Sequence, residues 1–456
     1  MAPGNETDLS YALPLRLNIV SCCLVASAFG PYLLPEAGLR LDHVVIYGFF
    51  LILFSAAAVP GSSIRAPGAL IAIMALLAAI VLWTTVVTVF GGHAKLSWNS
   101  IMASSDNFLQ PMAVVGVMAL VTAGVPKLEL SRSLKNVSIS ICLLLSVNSI
   151  LAACQLVWDT WPVARYFLRS LEEQTVWEHA VVQGRYSGIF DQPFENGLAY
   201  SIGLMSWIYF SNNSSSKWQW LLLPLLVIGG VLSASKVFLL GGAPAATLYF
   251  VFSRDSRPAL YIQVALGLIG SAVAVESILG EWIGISFFSI LVDPSFTHRD
   301  LLGLYTAGRF GREGWILTQF AYVWNLDVLC GFGFGTAVVF DNAYLEFFWQ
   351  AGVMGLIIYL AIIGTILWAG ILGVSRNEPI GFMIVLFCAM IVGIGFGGPV
   401  LTVNRSSILL WVVISIGIAM VSCSEMERRV PTRRSPSLPF AGTNHLHQKD
   451  ARGQSC

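Results

Sequence analysis

Charge is what this chain has least of. Asp, Glu, Lys and Arg together make up 11% of its 456 residues, against roughly 25% in soluble domains. With 56% hydrophobic residues and a mean hydropathy of +0.75, that scarcity excludes an ordinary soluble enzyme and a nucleic-acid partner. The formal net charge is zero, so only the placement of the charges is informative. Eight cysteines form no pattern. Cys22, Cys23, Cys142, Cys154, Cys388 and Cys423 lie in or at the ends of apolar runs, Cys456 ends the chain, and Cys330 stands alone in a long loop. No disulfide is expected, and no Cys/His grouping has zinc-ligand spacing. Internal repeats, a Ser/His/Asp set and a nucleotide fingerprint set in a βαβ unit are also missing. No metal or other cofactor is therefore expected. The first apolar run is long and lacks a small-residue cleavage pattern, so no removable signal peptide is expected either.

What the chain has is apolar runs of spanning length, about 20 residues each. They cover 13–34, 43–60, 67–91, 108–126, 136–157, 192–211, 218–234, 236–253, 259–280, 343–371, 380–400 and 406–423. The expected fold is an all-α polytopic bundle of about 12 transmembrane helices. Residues 1–12 form its N-terminus, 13–423 the membrane domain, and 424–456 a basic tail rich in Pro and Ser, read as disordered.

Lys and Arg in short loops set the orientation. With the N-terminus in the cytoplasm, the inner segments carry Arg65, Lys127, Arg132, Lys135, Lys217, Arg254, Arg257 and Arg376. The short outer connections hold only Arg40, Lys95, Lys236 and Arg405. Two long connections, 158–191 and 281–342, then fall outside the cell. Each is expected to carry a short amphipathic helix. In the first, Val163, Tyr166, Phe167 and Leu171 recur at helical spacing over 161–173.

Polar residues concentrate in 184–200 and 309–355, at the mouths of spans. Ionisable groups are costly beside lipid and, where they persist, line a pathway or site. In 185–197 Gly188 suits a tight turn, Asp191 an N-cap and Pro193 the first helical turn. Arg185 is not explained by that transition. The second stretch holds Arg309 and Arg312, then Gly331-Phe-Gly333-Phe-Gly335, then Asp341-Asn342-Ala-Tyr344 opening a span. The glycines suit close backbone approach to a ligand or a helix. Asp341 or Asn342 suits a plain N-cap, and Asp341 equally suits a general base. Lys236, in the turn Ser233-Ala-Ser-Lys236, reads either as a snorkelling anchor or as a cation aimed at a phosphate.

Arg185, Lys236, Arg309 and Arg312 thus place cations at one membrane face, near Asp191, Glu195 and Asp341. Arginine forks hold phosphate oxygens bidentately, and a diphosphate leaving group gains charge as its bond breaks. A carboxylate can take the proton of an attacking hydroxyl. Glu195, Asp191 and His298 are the other candidate bases.

In their order and spacing these residues resemble the O-antigen ligase and Wzy-type polysaccharide polymerase superfamily of bacterial inner membranes. The matching elements are R-x-x-G-x-F-x-x-P (Arg185, Gly188, Phe190, Pro193), the turn Ser235-Lys236, Arg312 with Trp315, G-x-G (Gly331, Gly333), and Asp341-Asn342-x-Tyr344-Leu345 followed by Gly352 and Gly355. The resemblance implies a metal-independent glycosyltransferase working on undecaprenyl-diphosphate-linked oligosaccharide at the periplasmic face. Flippase and chain-length co-polymerase proteins of the same pathway are its candidate partners. It implies Arg185, Arg312 and Asp341 as catalytic, with Arg309, Lys236, Glu195, Asn342 and Tyr344 binding substrate. Ligases of the superfamily carry His where this chain has Asp341, which favours the polymerase branch. Ligase-type transfer to another acceptor and transport of lipid-linked glycans remain the alternatives.

Overall fold

In the computed structural model the described residues are 6–35, 38–58, 66–93, 97–168, 171–213, 217–253, 314–336 and 342–429. Every apolar run coincides with a helix except 259–280, which lies outside them. The helices are α1 (Glu6–Ala28), α2 (Leu41–Ala57), α3 (Gly68–Phe90), α4 (Trp98–Val121) and α5 (Lys127–Cys154). Short helices α6 (Trp161–Ala164) and α7 (Leu171–Val182) lead to α8 (Pro193–Asn212), α9 (Leu222–Leu232) and α10 (Ala243–Phe252). Then come α11 (Trp315–Asp327), α12 (Ala343–Ser375), α13 (Pro379–Ile394) and α14 (Asn404–Arg429). Two short antiparallel strands, Tyr32–Leu34 and Leu39–Arg40, join α1 to α2.

Among the described residues, four helices are long and apolar enough to cross a membrane: α3, α5, α12 and the 404–424 part of α14. Other apolar helices are shorter, such as Arg16–Ala28, Leu41–Ala57 and Pro379–Ile394. The core forms around α14, whose residues from Ser406 to Val421 are buried on every side. An α-helix that is apolar all round belongs in the middle of a bundle. α14 packs against α1, α4, α5, α8 and α13.

The stretch 161–173 is not one amphipathic helix. α6 ends after one turn, Tyr166 and Phe167 lie in the bend that follows, and α7 begins at Leu171. The bend has bonding partners elsewhere: the Tyr32 amide donates to the Tyr166 carbonyl at 2.9 Å, and Arg405 Nη2 to the Phe167 carbonyl at 3.3 Å. Tertiary partners outweigh the local spacing. Within 281–342 a helix forms as α11. Ile316 and Val323 are buried in its contact with α12, while Trp324 and Leu326 are exposed.

The run 343–371 also differs from a single straight span. Gly352 has φ 63° and ψ −153°, a region essentially reserved for glycine. There the helix folds back on itself. Residues fifteen apart in a straight α-helix are about 22 Å apart along its axis, yet the Tyr344 and Tyr359 ring centroids are 5.2 Å apart. The Phe347 and Tyr359 ring centroids are 4.6 Å apart, with the rings tilted at 45°. The limb 353–375 alone is about 35 Å long at 1.5 Å per residue, still enough to cross a bilayer. The break frees the carbonyls of residues 349–351, and each finds a donor. Phe332 N bonds Trp349 O at 2.8 Å, Gly333 N bonds Gln350 O at 3.0 Å, and Trp83 Nε1 bonds Ala351 O at 3.3 Å. The Gly331–Gly335 loop therefore approaches a broken helix closely, and the glycines permit it. A Cβ on Gly331 would meet the Gly352 amide.

Candidate functional site

The Arg185 loop is fastened to two helices and a turn. Asn148 on α5 and Gln155 at its C-cap hold it from one side: Ile189 N donates to Asn148 Oδ1 at 2.9 Å, and Gly188 N to Gln155 Oε1 at 3.1 Å. Gly188 has φ +65°, and a Cβ there would run into the Asn148 side chain, so glycine is required twice over. From the other side Tyr186 N donates to Leu232 O, the last residue of α9, at 2.8 Å. Tyr186 packs with Ala152, Leu232 and Ala234, and burial pushes its phenol up.

The Leu232 contact brings Arg185 to the turn that carries Lys236. Ala234 in that turn has φ +43°, a left-handed conformation uncommon for a residue with a Cβ. Lys236 opens a π-helical turn, Val237–Gly242. Such turns are rare and cluster at functional sites. The first turn of α8 closes against the same place, since a Cβ on Gly197 would collide with Ser235. Arg185 and Lys236 are both half-buried. A backbone bond thus ties the Arg185 loop to the end of α9, next to the turn that carries Lys236.

Glu195, on α8, is 1% exposed. Its Oε1 accepts the Arg405 N–H at 2.6 Å and the Ser406 N–H at 3.3 Å, capping α14 from outside. The Asp191 carboxyl is near enough to act on Glu195. Asp191 is not the N-cap of α8: Pro193 starts the helix, which puts Gln192 at the cap, without a side-chain bond.

Asn342 is the N-cap of α12. Its Oδ1 accepts Leu345 N at 2.8 Å, and its Nδ2 donates to Phe396 O at 3.1 Å. Tyr344 donates its hydroxyl to Val392 O at 2.9 Å and lays its ring on Phe396. Arg309, Arg312 and Asp341 lie outside the described residues, as does His298. The segment 398–406 joins the two groups. Gly398 packs on Phe194 of α8, Thr402 Oγ1 bonds Glu346 Oε2 at 2.5 Å, and Arg405 meets Glu195.

Three features at this end are absent from the expectations above. Arg405 is 4% exposed, and its guanidinium donates to Gly30 O at 2.7 Å and lies over the Phe167 ring at 5.5 Å. Its signal was a lone arginine opening an apolar run, as at Arg185. The second feature is a network between α2 and α4. Arg40 forks onto Asp42 with both contacts at 3.0 Å, and Gln110 donates to Asp42 at 3.0 Å. Asp106 holds His43 at 2.9 Å and Tyr47 at 2.5 Å. Burial disfavours the Arg40 charge, but Asp42, Tyr32 and Asp106 together outweigh it and raise the pKa. The third is Glu346, fully buried on α12.

The N-terminal end of α14 thus meets α8 at Glu195, and α8 meets the turn before the π-helical segment where Gly197 faces Ser235. The first N–H groups of α14 are already taken by Glu195, so an oxyanion such as a phosphate at this end would draw on the Arg185 and Lys236 side chains. No protein-family model and no curated protein matches the chain.

Proposed function

We propose that this protein is a multi-pass glycosyltransferase of the bacterial inner membrane. It joins undecaprenyl-diphosphate-linked oligosaccharide repeat units into a longer polysaccharide, with the Arg185 end facing the periplasm. The supporting observation is the 2.8 Å bond from Tyr186 N to Leu232 O, which sets the Arg185 loop against the end of α9, next to the Lys236 turn. A diphosphate is the ligand whose charge and oxygen count use two such cations.

In this reading the anomeric C–O bond of the donor breaks, and its electron pair goes to the diphosphate oxygen held by Arg185 and Lys236. The acceptor hydroxyl forms the new glycosidic bond, and its proton passes to a carboxylate, for which Asp341 is the first candidate. The lipid diphosphate leaves with its charge neutralised by the arginines. The bond energy is already in the donor, so the reaction draws on no nucleotide. Orientation follows from the Lys/Arg bias of the short loops, and about twelve spans would return both termini to the cytoplasm.

The test is reconstitution of the full chain in liposomes with lipid-linked repeat units and no nucleotide. A ladder of products lengthened by whole repeats is expected. Substrate that stays one repeat long while moving between leaflets would instead identify a transporter.

A further inference from the structure

The fold-back of α12 creates a second polar site, in the bundle interior and separate from Arg185. Glu346 is 0% exposed and Gln350 1% exposed. They are one helical turn apart on the same face. Two neutral groups fix the Glu346 carboxylate: Asn107 Nδ2 donates to Oε1 at 3.1 Å, and Thr402 Oγ1 bonds Oε2 at 2.5 Å. None of the ion pairs among the described residues includes Glu346. A carboxylate inside a membrane bundle needs compensation by a counter-charge.

Two further observations point to what supplies it. Both polar atoms of the Gln350 amide, Oε1 and Nε2, are buried without a hydrogen-bond partner. Buried amides almost always have partners, so an orphaned one marks a place for a small polar species. Asn107 also has a second oxygen to offer. Pro111 sits four residues on within α4 and has no N–H to give the Asn107 carbonyl. Carbonyls freed at proline or at a helix break are the usual ion ligands in membrane bundles. The buried Tyr359 hydroxyl, from the returning limb of α12, likewise has no partner, and the charge of Glu346 acts on it.

We propose that Glu346, Gln350 and the Asn107 carbonyl form a binding site for one monovalent metal cation. A single carboxylate balances a single positive charge, whereas divalent ions of the calcium type draw on several carboxylates. The site couples α4 to the broken segment of α12 and to the 398–406 segment. An ion there locks together the elements that present Asn342 and Arg405.

Binding of ²²Na⁺ to the purified full-length protein tests this directly. Saturable binding of one ion per chain is expected, competed by unlabelled Na⁺ but not by choline. Glu346→Gln should abolish it. Gln350→Leu, which keeps the volume and the carboxylate, should weaken it roughly tenfold, the equivalent of one lost ligand. The Gln350→Leu arm stands even where Glu346→Gln does not fold. Absence of saturable Na⁺ binding to the native chain would overturn the site, and so would undiminished binding by the Gln350→Leu variant. Thermal stability that responds to pH and not to exchange of NaCl for choline chloride would assign the counter-charge to a proton instead. The measurement is independent of glycan synthesis, so it stands or falls apart from that reading.

Discussion

Glu195 Oε1 accepts the Arg405 N–H at 2.6 Å, so a carboxylate on α8 caps α14 across 210 residues of sequence. The bond ties the first turn of the central helix of the bundle to the first turn of α8. The bond separates a structural from a substrate-facing role for Glu195. Glu195→Gln retains an acceptor oxygen and should lose little stability. Glu195→Ala leaves two N–H groups of α14 unsatisfied and should cost about 1–3 kcal/mol. Thermal unfolding of the two variants in detergent reads the difference. A Gln variant of native stability that makes no polymer would place the Glu195 charge in the chemistry as well.

Arg185→Ala should abolish polymer while the protein remains in the membrane at native levels, because the loop is held by backbone bonds to Ala180 and Leu232 rather than by the guanidinium alone. Arg185→Lys should restore little activity, since a point charge does not reproduce a bidentate fork. Polymer length on a gel, normalised to membrane content, decides. Full-length product from Arg185→Ala removes that residue from the site.

The fold-back of α12 makes a stability prediction within one helix. Gly352→Ala puts a Cβ against the Leu329 carbonyl, at a φ of +63°, and should destabilise by at least ~2 kcal/mol. Gly364, on the returning limb, has nothing within 4 Å of its Cβ position. Gly364→Ala should be neutral or stabilise by up to about 1 kcal/mol through helix propensity. Equal thermal midpoints for the two variants would mean that α12 runs straight.

Orientation is testable without any substrate. A single cysteine placed at Gln183, on the Arg185 loop, should react with a membrane-impermeant maleimide applied from the periplasmic side. One placed at Asn213, at the opposite end of α8, should react only after the inner membrane is permeabilised. The reverse pattern would put the cations on the cytoplasmic face and remove the lipid-linked periplasmic donor from consideration.

Much of the helix content was legible because apolar runs must satisfy their own backbone in lipid, and only a helix does so within one segment. The Pro193 helix start and the close approach of the Gly331–Gly335 loop were legible for the same local reasons. Tertiary bonds were not. Phe167 lost its helical place to a bond with Arg405, and the α12 reversal turns on one dihedral pair at Gly352 that periodicity does not encode. At the site, Arg185 and Lys236 stood out because charge is scarce. Glu346 and Arg405 did not, since a lone carboxylate in a first helical turn and a lone arginine before a span each have ordinary explanations. Only their partners, Asn107, Thr402 and Glu195, drawn from remote segments, give them meaning.

The Asn342 cap sharpens the question of Asp341. The cap bond, Leu345 N to Asn342 Oδ1 at 2.8 Å, belongs to Asn342, so capping gives no reason for an aspartate at 341. Asn342→Ala should therefore lose about 1 kcal/mol of stability, whereas Asp341→Ala should lose little. Activity should divide the other way. If Asp341 takes the proton of the acceptor hydroxyl, Asp341→Asn keeps the shape, removes the base and should slow polymerisation by roughly 10²–10⁴-fold. Initial rates on lipid-linked repeat units, taken beside unfolding midpoints for all three variants, separate base from cap. An Asp341→Asn variant at native rate moves the base to Asp191, whose carboxyl already acts on Glu195, and Asp191→Asn then becomes the variant in which the rate must fall.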